Sequence, residues 1–184
     1  MKAIDELKRE HQSIKGTLEI LKVLSEKIGR RENVPERDVQ GVLEFLKVFV
    51  DRCHHGKEED FLFRALESVG VLREGGPIGV MLAEHEKGRA LVARLEEATA
   101  LLRAGDPEAH SRVEEIANQY GELLRTHIDK EDNVLFPMAE SHLEPWSDND
   151  LLQAFERLEQ ERIGHGKHEE FHRLMERLEK EYLH

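Results

Sequence analysis

Two stretches of this chain place a histidine four residues before a glutamate, His54 with Glu58 and His127 with Glu131. Residues four apart on a helix are neighbours on one face, so each pair can aim a nitrogen and an oxygen at a single point, half of a metal site. A buried carboxylate is costly unless it is paired or metal-bound, and two of them among inward-facing histidines call for cations. Imidazole with carboxylate suits iron, manganese or zinc rather than calcium or magnesium, and the lack of thiolate at either pair argues against an iron–sulfur cluster. Two divalent ions would offset the burial, with Glu58 and Glu131 each able to bridge both.

Such pairs need helices that turn them inward. Positions 4, 7, 11, 14, 18, 21 and 28 read Ile, Leu, His, Ile, Leu, Leu and Ile, one buried helical stripe that carries His11 and ends at Gly29. A second helix is predicted from about Glu36 to Gly70, turning Leu43, Leu46, Val50, His54, Phe61 and Ala65 inward. The turn Glu74-Gly75-Gly76-Pro77 opens a third, with Ile78, Met81, His85, Val92, Leu95 and Leu102 inside, and Gly105-Asp106-Pro107 stops it. The fourth brings Val113, Ile116, Tyr120, Leu123, His127, Glu131 and Val134 to one side, with Pro137 kinking or ending it. Ser147 reads as the N-cap of a further helix, and Gly164 and Gly166 flank a break before a last one lined by Phe171, Leu174, Met175, Leu178 and Tyr182.

The chain repeats itself. His54–Phe63 aligns with His127–Phe136 without a gap at an offset of 73, and Glu10-His11 aligns with Glu84-His85 at an offset of 74. One histidine on an apolar stripe is more often a hydrogen-bonded core residue than a ligand, and H-x-x-x-E arises by chance in a chain with 11 histidines. Chance does not readily place the same three positions on inner stripes twice. Each half is a helical hairpin unable to cover its own apolar face, so two hairpins packed as an all-α, up-down four-helix bundle over residues 1–142 are expected, with 143–184 a helical extension packed on it.

The pattern His11, His54-x-x-x-Glu58, His85, His127-x-x-x-Glu131, with Leu-Phe after each glutamate, resembles the hemerythrin-like H-HxxxE-H-HxxxE proteins. The resemblance implies a bundle binding two non-haem irons, with Glu58 and Glu131 as bridging carboxylates and manganese or zinc as substitutes. This sequence departs from the oxygen-carrying members, which have H-x-x-x-H on the third helix. Here Met81 and Arg89 stand at those distances from His85. Ferritin-like bundles use E-x-x-H from two helices, a motif that occurs here only as Glu169 and His172.

Neighbouring residues leave alternatives open. His55 and Glu59 are also four apart and would replace His54 and Glu58 if the helix turned by about 100°. The first pair matches the repeat, whereas His55 has Ile128 as its counterpart; His55 and Glu59 then read as a supporting or surface pair, with Glu59 orienting a ligand histidine. His168, one turn from His172, either fills the position missing on the third helix or belongs to a segment that covers the end of the bundle, with His165 and His172 exposed. Tyr120 packs in the core or acts as a redox relay. Cys53 reads as a small core residue.

Composition narrows the classes. A net charge of -12 disfavours nucleic acid, since phosphate binding needs clustered Lys and Arg. No apolar run is long enough to span a membrane, one cysteine cannot form an internal disulfide, and MKAIDELKRE lacks the apolar core of a signal peptide, so the cytoplasm is the expected compartment. The expected function is binding or reduction of a small oxidant (O2, peroxide or nitric oxide) at a carboxylate-bridged di-iron site, with peroxidase or oxidase chemistry as its enzymatic form. The alternatives are a sensor whose C-terminal helix responds to site occupancy, and a bundle stapled by zinc.

Overall fold

The computed structural model describes residues 1–145, 147–164 and 166–184; His165, expected at the surface, lies outside them. Helices α1 (Lys2–Gly29), α2 (36–68), α3 (Pro77–Arg103), α4 (109–142), α5 (147–163) and α6 (Lys167–Tyr182) follow in order, with no strand among the described residues. None is long and apolar enough to cross a membrane. Pro77, whose fixed φ suits a first turn, starts α3. Gly164 and Gly166, at φ 89° and 82°, make the break between α5 and α6 in backbone that an L side chain rarely adopts.

The bundle is up and down, as one of its two cores shows. That core takes Ile4 and Leu7 from the start of α1 and Leu62 and Leu66 from the end of α2. It takes Ile78 from the start of α3 and Phe136 from the end of α4. The second, larger core joins Ile14, Leu18 and Leu24 of α1 to Leu46 and Val50 of α2, Val92 of α3 and Leu124 of α4. Between the two lies a polar layer of buried His11, His54, His55, Glu58, His85, His127 and Glu131. The last two helices lie against α1 and α2: Phe155 joins the first core and Phe171 the second. Asp148 of α5 accepts the backbone N–H groups of Lys2 and Ala3 at 3.0 and 2.9 Å, two of the donors that the first turn of α1 cannot satisfy itself.

Helices α2 and α4 are not uniform. Phe45–His55, Glu58–Leu62 and Glu131–Leu135 are wide π-type turns, in which hydrogen bonds reach five residues instead of four. The last two stand at the same 73-residue offset as the motif. Each adds a residue to the turn and moves the inner stripe on by one. Phe61 and Ala65, expected inside, are therefore only partly buried, and Val134 is 53% exposed; Leu62, Phe63, Leu135 and Phe136 take the core places. Pro137 does not end α4, which continues to His142.

Candidate metal centre

The four helices bring the repeat residues to one point. One donor atom from each of His11, His54, Glu58 and Glu131 lies within 4.8 Å of the others, and the same holds for His55, Glu58, His85 and His127. Glu131 faces His11 Nε2 at 3.3 Å and His127 Nε2 at 3.2 Å. Glu58 faces His54 Nε2 and His85 Nε2, each at 3.5 Å. Each carboxylate thus stands between the two histidine pairs, where its two oxygens can serve both.

Carboxylates behind the histidines set their orientation. The Nδ1–H of His54 donates to Glu10 at 2.8 Å and that of His127 to Glu84 at 3.0 Å, both within a hairpin. His11 Nδ1 meets Asp132 at 2.7 Å and His85 Nδ1 meets Glu59 at 2.6 Å, both across hairpins. A carboxylate can only accept, so the proton sits on Nδ1 and the Nε2 lone pair turns inward, the arrangement found behind metal-bound histidines. Lys57 and Lys130, also a repeat pair, donate to Glu10 and Glu84.

Electrostatics fit a cation. Among the described residues, His11 Nε2, His54 Nε2 and all four oxygens of Glu58 and Glu131 are buried without a hydrogen-bond partner, and His85 Nε2 faces His127 Nε2 at 3.1 Å. Unpaired polar atoms at this depth are expensive, and converging nitrogen and oxygen ligand atoms are what a divalent ion satisfies. Burial raises the Glu58 carboxyl well above its ordinary range, and Glu131 opposite adds to this. Burial also acts to raise Glu131, but His127 and His11 outweigh it and hold it well below. Burial lowers His54 to about 4 against the pull of Glu10. The donor set suits iron, manganese or zinc.

The remaining sequence candidates fall elsewhere or nearby. His55 joins the cluster, its ring stacked on His85 at a centroid distance of 3.8 Å. Adjacent residues 54 and 55 both face inward because the wide turns leave 53–58 buried as an unbroken run. Glu59 supports His85. Tyr120 is buried outside the cluster and lines a cavity of about 270 Å³ with His55, Gly88 and Arg89. His168 does not fill the third-helix position: its Nε2 lies 3.6 Å from Cys53 Sγ. His172 is exposed in a groove beside it. Glu10, Cys53, Glu159 and His168 also converge, but the fully buried Lys57 ammonium already pairs with Glu6, Glu10 and Glu159 there. Sequence reasoning missed Glu10, Glu84 and Asp132 as supporting carboxylates; their signal was that each sits next to a repeated ligand position.

A helical bundle with a buried layer of histidines and carboxylates defines a class of cation-binding proteins. The chain belongs to the hemerythrin HHE cation-binding domain family, whose model matches residues 2–139. It is 26% identical over 162 residues to uncharacterized protein Rv1995 of Mycobacterium tuberculosis and to uncharacterized protein Mb2018 of Mycobacterium bovis, covering 88% of this chain and 63% of theirs. It is 32% identical over 114 residues to the iron-sulfur cluster repair protein YtfE of Salmonella paratyphi B, covering 59% of this chain and 50% of that one. The chain therefore spans less than two thirds of the length of these relatives. No solved structure matches it.

Proposed function

We propose that this protein binds two non-haem irons between Glu58 and Glu131 and uses them to bind or reduce a small oxidant: O2, peroxide or nitric oxide. The observation that supports it is the ring of buried donor atoms without partners at His11, His54, Glu58 and Glu131, doubled by His85 and His127. His11 and His54 would hold one iron and His85 and His127 the other, with both carboxylates shared. Iron bound there supplies redox chemistry and coordination positions open to a small ligand. The chain's own part is to fix the imidazoles through Glu10, Asp132, Glu59 and Glu84, and to keep bulk water out between two apolar cores. Anaerobic metal analysis with optical spectra, before and after O2 and peroxide, tests this against a Glu58→Ala/Glu131→Ala double variant. About two irons per chain, with bridge absorption bands lost in the variant, supports the reading; iron indifferent to the variant ends it.

A second reading, a sensor, is favoured by one chain of contacts. His54 bonds Glu10, Glu10 accepts from Lys57, and Lys57 also donates to Glu159 of α5, so the site and the 143–184 extension share one buried cation. Occupancy at His54 would then be felt by α5 and α6. Limited proteolysis of residues 147–184 with and without iron decides it: equal cleavage rules the sensor out.

A further inference from the structure

We infer that His55 is a fifth imidazole ligand, completing the position held by His85 and His127 and making the two metal positions unequal; this rests on the di-metal reading above. His55 is 4% exposed, and among the described residues neither of its ring nitrogens has a hydrogen-bond partner. A histidine packed only for bulk does not remain this deep with both nitrogens unpaired, since a carbon side chain would fill the space without that penalty.

Its surroundings are those of the other four. His55 lies within donor reach of His85, His127 and Glu58. Behind its Nδ1, at 3.6 Å, stands an Asp51 oxygen, which Arg89 holds from the other side at 2.7 Å. Each of the four repeat histidines has a carboxylate on Nδ1, and Asp51 is placed to be the fifth, half an ångström or so beyond bonding distance. Motion of the ring toward Asp51 would fix the same tautomer and turn Nε2 to the cluster.

The sequence accounts for the need. The third helix offers His85 alone, with Met81 and Arg89 one turn to either side. His55 reaches the same point from α2, because the wide turn lets residues 54 and 55 both face inward. The His85 position then has five protein donors, His55, His85, His127 and one oxygen from each glutamate. The His11 position has four.

The test is an anaerobic titration of the metal-free protein with cobalt(II), read by absorbance and by bound metal, on wild type, His55→Leu, His55→Gly and the Glu58→Ala/Glu131→Ala variant. Wild type is expected to take up two cobalt ions. His55→Leu is expected to bind the first as wild type does and the second at least tenfold more weakly, while its metal-free form melts at or above the wild-type temperature. His55→Gly is expected to regain the second ion in millimolar imidazole, which can enter through the cavity lined by His55 and Tyr120. Two ions bound by His55→Leu with wild-type affinity would overturn the inference. So would a His55→Gly protein that imidazole does not rescue, which decides the matter even if the leucine variant fails to fold. Failure of the di-metal reading looks different: wild type itself would bind fewer than two ions, or the double variant would bind as well as wild type.

Discussion

Lys57 donates to Glu10 at 2.6 Å while Glu10 accepts from His54 at 2.8 Å, so a lysine that no solvent reaches fixes the carboxylate that fixes a ligand histidine. Burial acts to raise Glu10, but His54 and Lys57 hold it down to about 2. Replacing Lys57 with methionine leaves that carboxylate with His54 as its remaining donor and without a cation beside Glu6 and Glu159. Breaking one side of a buried ion pair typically costs several kcal/mol, and the partial exposure of Glu6 and Glu159 lets them rehydrate, so a loss of about 3 kcal/mol is expected. Urea unfolding of metal-free Lys57→Met measures it; a loss below about 1 kcal/mol would show that the cluster carries little stability.

Glu10→Gln and Glu84→Gln remove equivalent supports from opposite hairpins. Removing a carboxylate behind a metal-bound histidine typically weakens binding about 10–100-fold, so each variant should weaken one metal step by that range and leave the other. Calorimetric titration resolves the steps. Equal weakening of both by either variant would contradict the division into a His11/His54 position and a His85/His127 position.

The C-terminal helix should be acid-sensitive at one contact. Tyr182 Oη and an Arg177 nitrogen donate to Asp38 at 2.6 and 2.8 Å, tying α6 to α2. Burial acts to raise the Asp38 carboxyl, but these two donors outweigh it and hold it below its ordinary value. A carboxyl lowered by folding contributes stability that is complete above its unfolded pKa, about 3.9, and fades as pH falls through the folded value. Protection of the α6 amides against hydrogen exchange, relative to their intrinsic rates, should therefore hold at pH 5 and fall below about pH 4. Tyr182→Phe, which removes one bond to a charged group, should loosen α6 by roughly 1.5 kcal/mol at neutral pH and flatten this dependence. Exchange in α6 that is indifferent to both would leave the contact without weight.

Cys53 should be inert in the folded protein. It is fully buried, and burial pushes its thiol well above the ordinary range, so the thiolate that reagents need is scarce at neutral pH. Alkylation at pH 8 is expected to run at least about a hundredfold slower than in denaturant, since each unit of raised pKa costs a factor of ten. A native rate near the denatured one would mean that α6, whose His168 lies over the sulfur, opens freely.

The bundle could be read from the sequence because its stripes keep helical spacing through α1 and α3 and because the repeat marks two equivalent hairpins. All six repeat positions meet in the structure for the same reason. What the spacing hid was the backbone of α2 and α4. A stripe extrapolated at constant pitch places Phe61 and Val134 inside and His55 at the edge, whereas one extra residue per wide turn reverses those assignments. Hydrogen-bond partners such as Asp132 were hidden differently: Asp132 sits on α4 and its histidine on α1, and only tertiary packing joins them.

Two identical hairpins packed about a twofold axis would carry identical metal positions, and this chain keeps part of that symmetry, including the wide turns at 58–62 and 131–135 and the lysines at 57 and 130. Among the inward-facing histidines the two halves part at His55 in the first hairpin, whose counterpart in the second is buried Ile128. One such position is enough to let two otherwise equivalent halves offer different ligands. Ile128→His would offer the matching imidazole from the second hairpin and even the two halves.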